Sequence, residues 1–196
     1  MNAAHGDTPF FRSIVLVGLM GSGKSAIGRR LAARLGMDFV DADAEIETAA
    51  GLSINDIFEV HGEAAFRDGE RRVIARLLSK PPHILATGGG AFMDSETRRL
   101  INEKAYSVWL RADFDVLLRR VSRRNNRPLL NVDNKEEVLR NLMAKRYPIY
   151  EQADVTVQSQ DGPHEETVNQ VVTALKRFTD DETNKTDTAA SSPMAS

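Results

Sequence analysis

The chain contains no cysteine. Disulfides, thiolate metal sites and a cysteine nucleophile are therefore excluded, and a reducing compartment is compatible. No apolar run approaches the roughly 18 residues that a membrane span needs. Residues Met1 to Pro9 are polar and lack the apolar segment of a secretory signal. The chain is accordingly read as a cytoplasmic protein, with no membrane partner. A strong charge imbalance is also missing: the formal net charge is -2 over 196 residues. The segment from Asp180 onward holds Asp180, Asp181, Glu182 and Asp187 against Lys185, so the remainder carries only +1. That is no polybasic footprint, and no nucleic-acid partner is expected. The length suits one domain with a real core.

What is present begins with Gly18-Leu19-Met20-Gly21-Ser22-Gly23-Lys24-Ser25. It fits G-x-x-x-x-G-K-[ST], the phosphate-loop pattern, in the context that gives the pattern meaning. Before it runs Ile14-Val15-Leu16-Val17, which reads as a buried strand. After it, Ile27, Leu31 and Leu35 form the apolar stripe of a helix. The glycines let backbone N–H groups face an anion, and the helix N-terminus adds partial positive charge. Lys24 is placed to reach the β- and γ-phosphates of a nucleotide, and the Ser25 hydroxyl to ligate Mg²⁺.

Strands are expected at Ser13–Val17, Asp38–Val40, His83–Ala86, Tyr106–Leu110 and Asp154–Val157. Helices are expected at Lys24–Leu35, Ala42–Ala49, Ile54–Val60, Glu63–Ser79, Ser95–Asn102, Phe114–Arg124, Lys135–Gln152 and Glu165–Phe178. Residues 1–11 and 179–196 read as disordered tails, which leaves a single domain over 12–178. Strand–helix alternation with apolar strands predicts an α/β fold, a parallel sheet covered by helices on both faces. Ligands of such sheets bind at the carboxyl ends of the strands.

Those ends carry chemistry. Asp41 and Asp43 follow the second strand at i, i+2, which puts both carboxylates on one side if the chain stays extended. One can hold Mg²⁺, and the other can orient an acceptor hydroxyl or take its proton. Helix capping competes for one of the two. Gly88-Gly89-Gly90 follow the third strand and strip side chains from a backbone that a ligand can approach. Arg67 and Glu70 share a helix face, and Arg146 follows Leu139, Leu142 and Met143 on another. Two arginines bordering apolar faces can clamp a carboxylate, or can be ordinary edge ion pairs. The arginines at 119, 120, 123, 124 and 127 precede Pro128. In a phosphate-binding protein, that segment of about 120–134 reads as a lid that brings Arg127 onto the transferring phosphoryl group.

Taken together, these pieces resemble the shikimate kinase family, small-metabolite kinases of the phosphate-loop class. The matching pieces are GLMGSGKS at 18–25, DAD at 41–43, Phe66-Arg67-Asp68-Gly69-Glu70, GGG at 88–90, RPLL at 127–130, and Lys145-Arg146 with Tyr150. The likeness spans about Ile14 to Lys176, in the family's order. It implies a P-loop NTPase fold of the nucleoside monophosphate kinase type, with five parallel strands flanked by helices. It also implies transfer of a phosphoryl group from MgATP to the 3-hydroxyl of shikimate, in aromatic amino acid biosynthesis, by a monomer. Gly21, Ser22, Gly23, Lys24, Ser25 and Ala26 would hold ATP, with Arg120 packing near adenine. Ser25 and Asp41 would hold Mg²⁺. The catalytic set implied is Lys24, Asp43 and Arg127. Asp43, Arg67, Gly88, Gly89, Gly90 and Arg146 would bind shikimate, within a region of about 42–70 and its neighbours. The loop at 158–163 carries no arginine and matches the family least.

Other readings compete, among them a nucleic-acid role that would rest on the arginines at 119–127 alone. Asn134-Lys135-Glu136-Glu137 resembles a guanine-binding motif but ends in Glu, which disfavours a GTPase. Another small-metabolite kinase, such as a gluconate kinase, shares the phosphate loop. A non-catalytic nucleotide-binding module would be expected to lack Lys24, Asp43 or Arg127, and all three are present.

Overall fold

The computed structural model describes residues 10–122 and 134–190, the last six of them by backbone alone. Its centre is β1 (Ser13–Val17), buried at every position. Alternate side chains of a strand face opposite ways, and β1 uses this to serve two cores. Ile14 and Leu16 pack with Ile27 and Leu31 of α1 (Lys24–Leu35) and with Val168, Val171 and Leu175 of α7 (His164–Ala190). Val15 and Val17 pack on the other face with Val73, Ile74 and Leu77 of α3 (Ile54–Leu77). The same face meets α5 (Phe114–Ser122) through Leu117 and α6 (Lys135–Tyr150) through Leu139.

Four more strands complete the sheet: β2 (Asp38–Asp41), β3 (His83–Ala86), β4 (Ala105–Arg111) and β5 (Val155–Gln158). All pairings are parallel, and the order is β2-β3-β1-β4-β5. The chain leaves β1 for the far edge at β2, returns to β3, then crosses to β4 on the other side. Connections therefore diverge at the carboxyl end of β1, the crevice where such sheets bind ligands. Three segments meet there: the phosphate loop after β1, the start of α2 (Ala42–Ala50) after β2, and the glycines after β3. A 3-10 turn at Ala91–Met93 and α4 (Ser95–Lys104) then lead to β4.

Several expectations need correction. Asp41 and Asp43 do not share an extended strand end: β2 stops at Asp41, and Asp43 lies in the first turn of α2. The two helices expected around 61–62 run together as α3, broken at Gly62 with φ 79° and ψ 171°. Phe10, placed in a tail by composition, is buried and meets the Tyr106 ring edge-on at 6.2 Å. The final helix continues past Phe178 to Ala190. Its polar extension is a solvated helix over 181–184, where every residue is exposed, and low hydrophobicity had the same signature as a tail. Asn134 caps α6 by accepting a hydrogen bond from the Glu137 amide at 3.2 Å. The Asn-Lys-Glu-Glu run is thus a helix start.

Candidate active site

The phosphate loop begins as the strand ends. Gly21 and Gly23 hold φ of 82° and 96°, a region that side-chain-bearing residues rarely adopt. Gly23 is also the N-cap of α1, so the first N–H groups of that helix open into the crevice. The Lys24 ammonium folds across the loop and donates to the carbonyls of Gly18 at 2.7 Å and Leu19 at 2.9 Å. The Ser25 hydroxyl donates to Asp41 Oδ2 at 2.8 Å. The other oxygen of Asp41 accepts the Asp43 amide at 3.1 Å, so Asp41 is the cap of α2. Capping thus explains Asp41 and leaves Asp43 with its carboxylate toward the crevice. Together they line a cleft of about 300 Å³ with Lys24, Thr87, Gly88, Gly89 and Arg120.

Ser25 and Asp41 offer two hard oxygen ligands side by side. Among the described residues no three of His, Asp or Glu converge on one point. That donor set fits Mg²⁺, which takes one or two protein oxygens and completes its shell with phosphates and water.

The three glycines after β3 back onto different candidate side chains. A Cβ on Gly88 would lie 2.8 Å from Asp43 Oδ1 and 2.9 Å from Glu70 Oε1. One on Gly89 would lie 3.3 Å from Arg146 Nη1, and one on Gly90 2.5 Å from Arg67 Nη1. A side chain at Gly88 or Gly90 would force these groups to shift, and one at Gly89 would press on Arg146. The glycine segment is therefore the floor on which Asp43, Glu70, Arg146 and Arg67 come together from α2, α3 and α6. Arg67 is steered by Glu70 Oε2 at 2.7 Å and Glu63 Oε1 at 3.3 Å. Arg146 donates to the Gly89 carbonyl at 2.9 Å, and the Tyr150 hydroxyl donates to the same oxygen.

Burial sets the electrostatics here. Glu70 is 2% exposed. Its carboxyl is held above the usual range chiefly by burial, against the pull of Arg67, with Asp43 and Asp94 adding to the rise. Burial would lower the Arg67 guanidinium, but Glu70 and Glu63 outweigh it and hold it above its ordinary value. Arg67 is therefore a fixed positive charge, and an ion pair does not exclude it from a clamp. Burial pushes the Tyr150 hydroxyl up to about 12, so it remains a proton donor at neutral pH.

Arg120 ties the phosphate loop to the loop after β5. It donates to the Gly21 carbonyl at 3.1 Å, to Ser159 Oγ at 3.0 Å and to the Gln160 carbonyl at 2.6 Å. It also pairs with Asp161 at 3.2 Å, and Arg119 pairs with the same carboxylate. These two arginines face the loop after β5. Ser159 is buried, and its hydroxyl reaches the Ser22 carbonyl at 2.8 Å. The role of that loop was not legible in the sequence, because its groups act through Arg120, 39 to 41 residues earlier. His164 on the rim was missed for the same reason, since nothing local marks it. Tyr150 carried a signal in its i, i+4 spacing from Arg146. Of the expected site residues, Arg127 alone lies outside the described residues, with 123–133 of the expected lid. Ala26 lines the cleft, and Ser22 is buried behind the loop.

Comparison with known proteins speaks to the same site. The family model for shikimate kinase matches residues 20–176. A shikimate kinase of Caulobacter vibrioides is 60% identical over 85% of this chain and 83% of its own. One from Rhodopseudomonas palustris is 57% identical over 90% of this chain and 85% of its own. Among solved structures, a shikimate kinase from Acinetobacter baumannii in complex with shikimate superposes with a TM-score of 0.82 at 38% identity. That likeness covers 85% of this chain and 94% of the other. Likeness of this extent in sequence and in fold leaves one assignment: the chain belongs to the shikimate kinase family.

Proposed function

We propose that this chain transfers the γ-phosphoryl group of ATP to the 3-hydroxyl of shikimate, giving shikimate 3-phosphate and ADP. The observation that carries the reading is the glycine floor, which gathers Asp43, Arg67 and Arg146 beside the phosphate loop. A small polyhydroxy acid needs two things from such a site: a carboxylate clamp and a hydroxyl-orienting group. Arg67 and Arg146 present planar guanidinium groups suited to the first. Asp43 supplies the second, accepting the hydrogen bond of the attacking hydroxyl and its proton as the new P–O bond forms.

Lys24 follows the negative charge of the phosphoryl oxygens, and the N–H groups at the start of α1 hold the β-phosphate. Ser25 and Asp41 would hold Mg²⁺, which would supply charge neutralisation at the nucleotide oxygens. Phosphoryl transfer asks mainly for this positioning and charge complementarity. Arg127 is assigned the phosphoryl contact on resemblance. Residues 42–70 form the acceptor-binding region of a single kinase domain. A monomer in the cytoplasm is the setting inferred from the resemblance. Among the described residues no helix is long and apolar enough to cross a membrane.

The test is ADP release from MgATP with shikimate, gluconate, quinate and nucleoside monophosphates as acceptors. Strong stimulation by shikimate alone is expected. Turnover on gluconate or a nucleotide without turnover on shikimate would overturn the carboxylate-site reading and keep the kinase.

A further inference from the structure

We propose that Tyr150 is a positioning residue for the acceptor site: its hydroxyl locks the Gly89 carbonyl against which Arg146 is aimed. The inference rests on the reading that Arg146 holds the acceptor carboxylate.

Arg146 and Tyr150 are four residues apart on α6 and so share one face. Both reach the same oxygen, since Arg146 Nη1 and the Tyr150 hydroxyl each donate to the Gly89 carbonyl. A carbonyl has two lone pairs and can accept both donors at once, and the Tyr150 hydroxyl also meets the Arg146 side chain directly. A guanidinium has five N–H donors, of which one goes to Gly89 and orients the remainder. The glycine fits closely, since a Cβ at Gly89 would already stand 3.3 Å from Arg146 Nη1.

The ring that carries this hydroxyl cannot wander. Tyr150 is fully buried between Phe92 of the 3-10 turn at 6.4 Å, Trp109 of β4 at 5.9 Å and Tyr147 at 6.3 Å. Phenylalanine would fill that space equally well. Burying the extra hydroxyl is unfavourable unless it bonds, so packing alone does not call for it. Pro148 lies in this last turn and cannot donate to the carbonyl one turn back. The turn is anchored by its side chains, with the Tyr147 hydroxyl donating to the Ala112 carbonyl. The two tyrosines therefore divide the work. Tyr147 ties α6 to the end of β4, and Tyr150 ties it to the glycine floor.

The experiment is a double-mutant cycle of Tyr150→Phe and Arg146→Ala, with KM for shikimate, KM for ATP and kcat measured for each form. Tyr150→Phe is expected to raise KM for shikimate roughly 3- to 10-fold, the scale of one oriented hydrogen bond. Its kcat and KM for ATP should stay within about twofold. In the Arg146→Ala background the same change should add less than about twofold, because the group it acts through is gone. Equal losses in both backgrounds would overturn the inference, as would a matching rise in KM for ATP. Tyr147→Phe removes a hydroxyl from the same cluster but not from the glycine floor. It should lower stability and leave KM for shikimate unchanged, and an equal KM effect would also overturn the inference. Trp109, the single tryptophan, should keep its emission in Tyr150→Phe if the ring packing is intact. Wild-type protein that does not phosphorylate shikimate would overturn the functional reading and this inference with it. Active wild type with additive variants would overturn this inference alone.

Discussion

Gly90→Ala adds one methyl group where the structure has no room for it. The backbone does not object, since φ -98° and ψ -18° at Gly90 are open to any residue. The obstacle is Arg67: the new Cβ would stand 2.5 Å from Nη1, 2.6 Å from Nη2 and 2.7 Å from Cζ. Ordinary contact begins near 3.5 Å, so the guanidinium must withdraw by about 1 Å. It cannot withdraw freely. Glu70 holds it at 2.7 Å from a side chain only 3% exposed, and Glu63 holds it at 3.3 Å. Displacing a positioning group by about 1 Å costs on the order of 10²-fold when the geometry matters. A fall in kcat/KM for shikimate of about 10- to 100-fold is therefore expected, carried mainly by KM. KM for ATP should stay within about twofold, because Lys24 and Ser25 line the cleft and Arg67 is not among its lining residues. A coupled ADP-release assay over a range of shikimate concentrations reads both. A KM for shikimate within twofold of wild type would refute the reasoning, by showing that Arg67 either does not touch the acceptor or can move without consequence.

Three further outcomes can be checked with the same assay or with thermal melts. Lys24→Ala should lower kcat at least ~10²-fold, the scale of one lost electrostatic element, and a near-normal kcat would remove it from the charge-stabilising set. Asp43→Asn should lower kcat by at least ~10²-fold with little change in folding, and turnover near wild type would deny it a catalytic role. Glu70 supplies a pH test. Because burial holds its carboxyl above 4.5, the folded protein keeps this proton more tightly than the unfolded chain. Its contribution to stability is thus full below 4.5 and lost as pH rises through the raised value. The Tm of wild type minus that of Glu70→Gln should therefore increase as pH falls from 7 toward 4.5, and a flat or opposite trend would contradict this.

The strands and helices that flank the phosphate loop were legible because their signals are local. Ser13–Val17, Lys24–Leu35 and His83–Ala86 emerge with the bounds expected from apolar runs and four-residue spacing. Errors arose where a local signal had two physical causes. The polar run after Phe178 suits a tail or a solvated helix, and the helical ladder continues through it. Phe10 sits in a polar stretch, yet it is buried by Tyr106, 96 residues away, whose strand happens to pair with β1. The Asp-Ala-Asp spacing spoke for an extended end, but capping by Asp41 starts a helix there and separates the two roles.

The sequence by itself determined the parts list: a phosphate loop that only glycines permit, a parallel sheet implied by apolar strands alternating with helices, and arginines, aspartates and glycines fit for a small acid. Only the tertiary structure decided which of these meet. Strand order brings Gly88 to Asp43 and Glu70, Gly89 to Arg146 and Tyr150, and Gly90 to Arg67, across separations that no spacing rule covers. Turns and periodicity follow from dihedral angles and side-chain volume within a few residues. The partners of a buried charge or hydroxyl follow from which elements the core packs together.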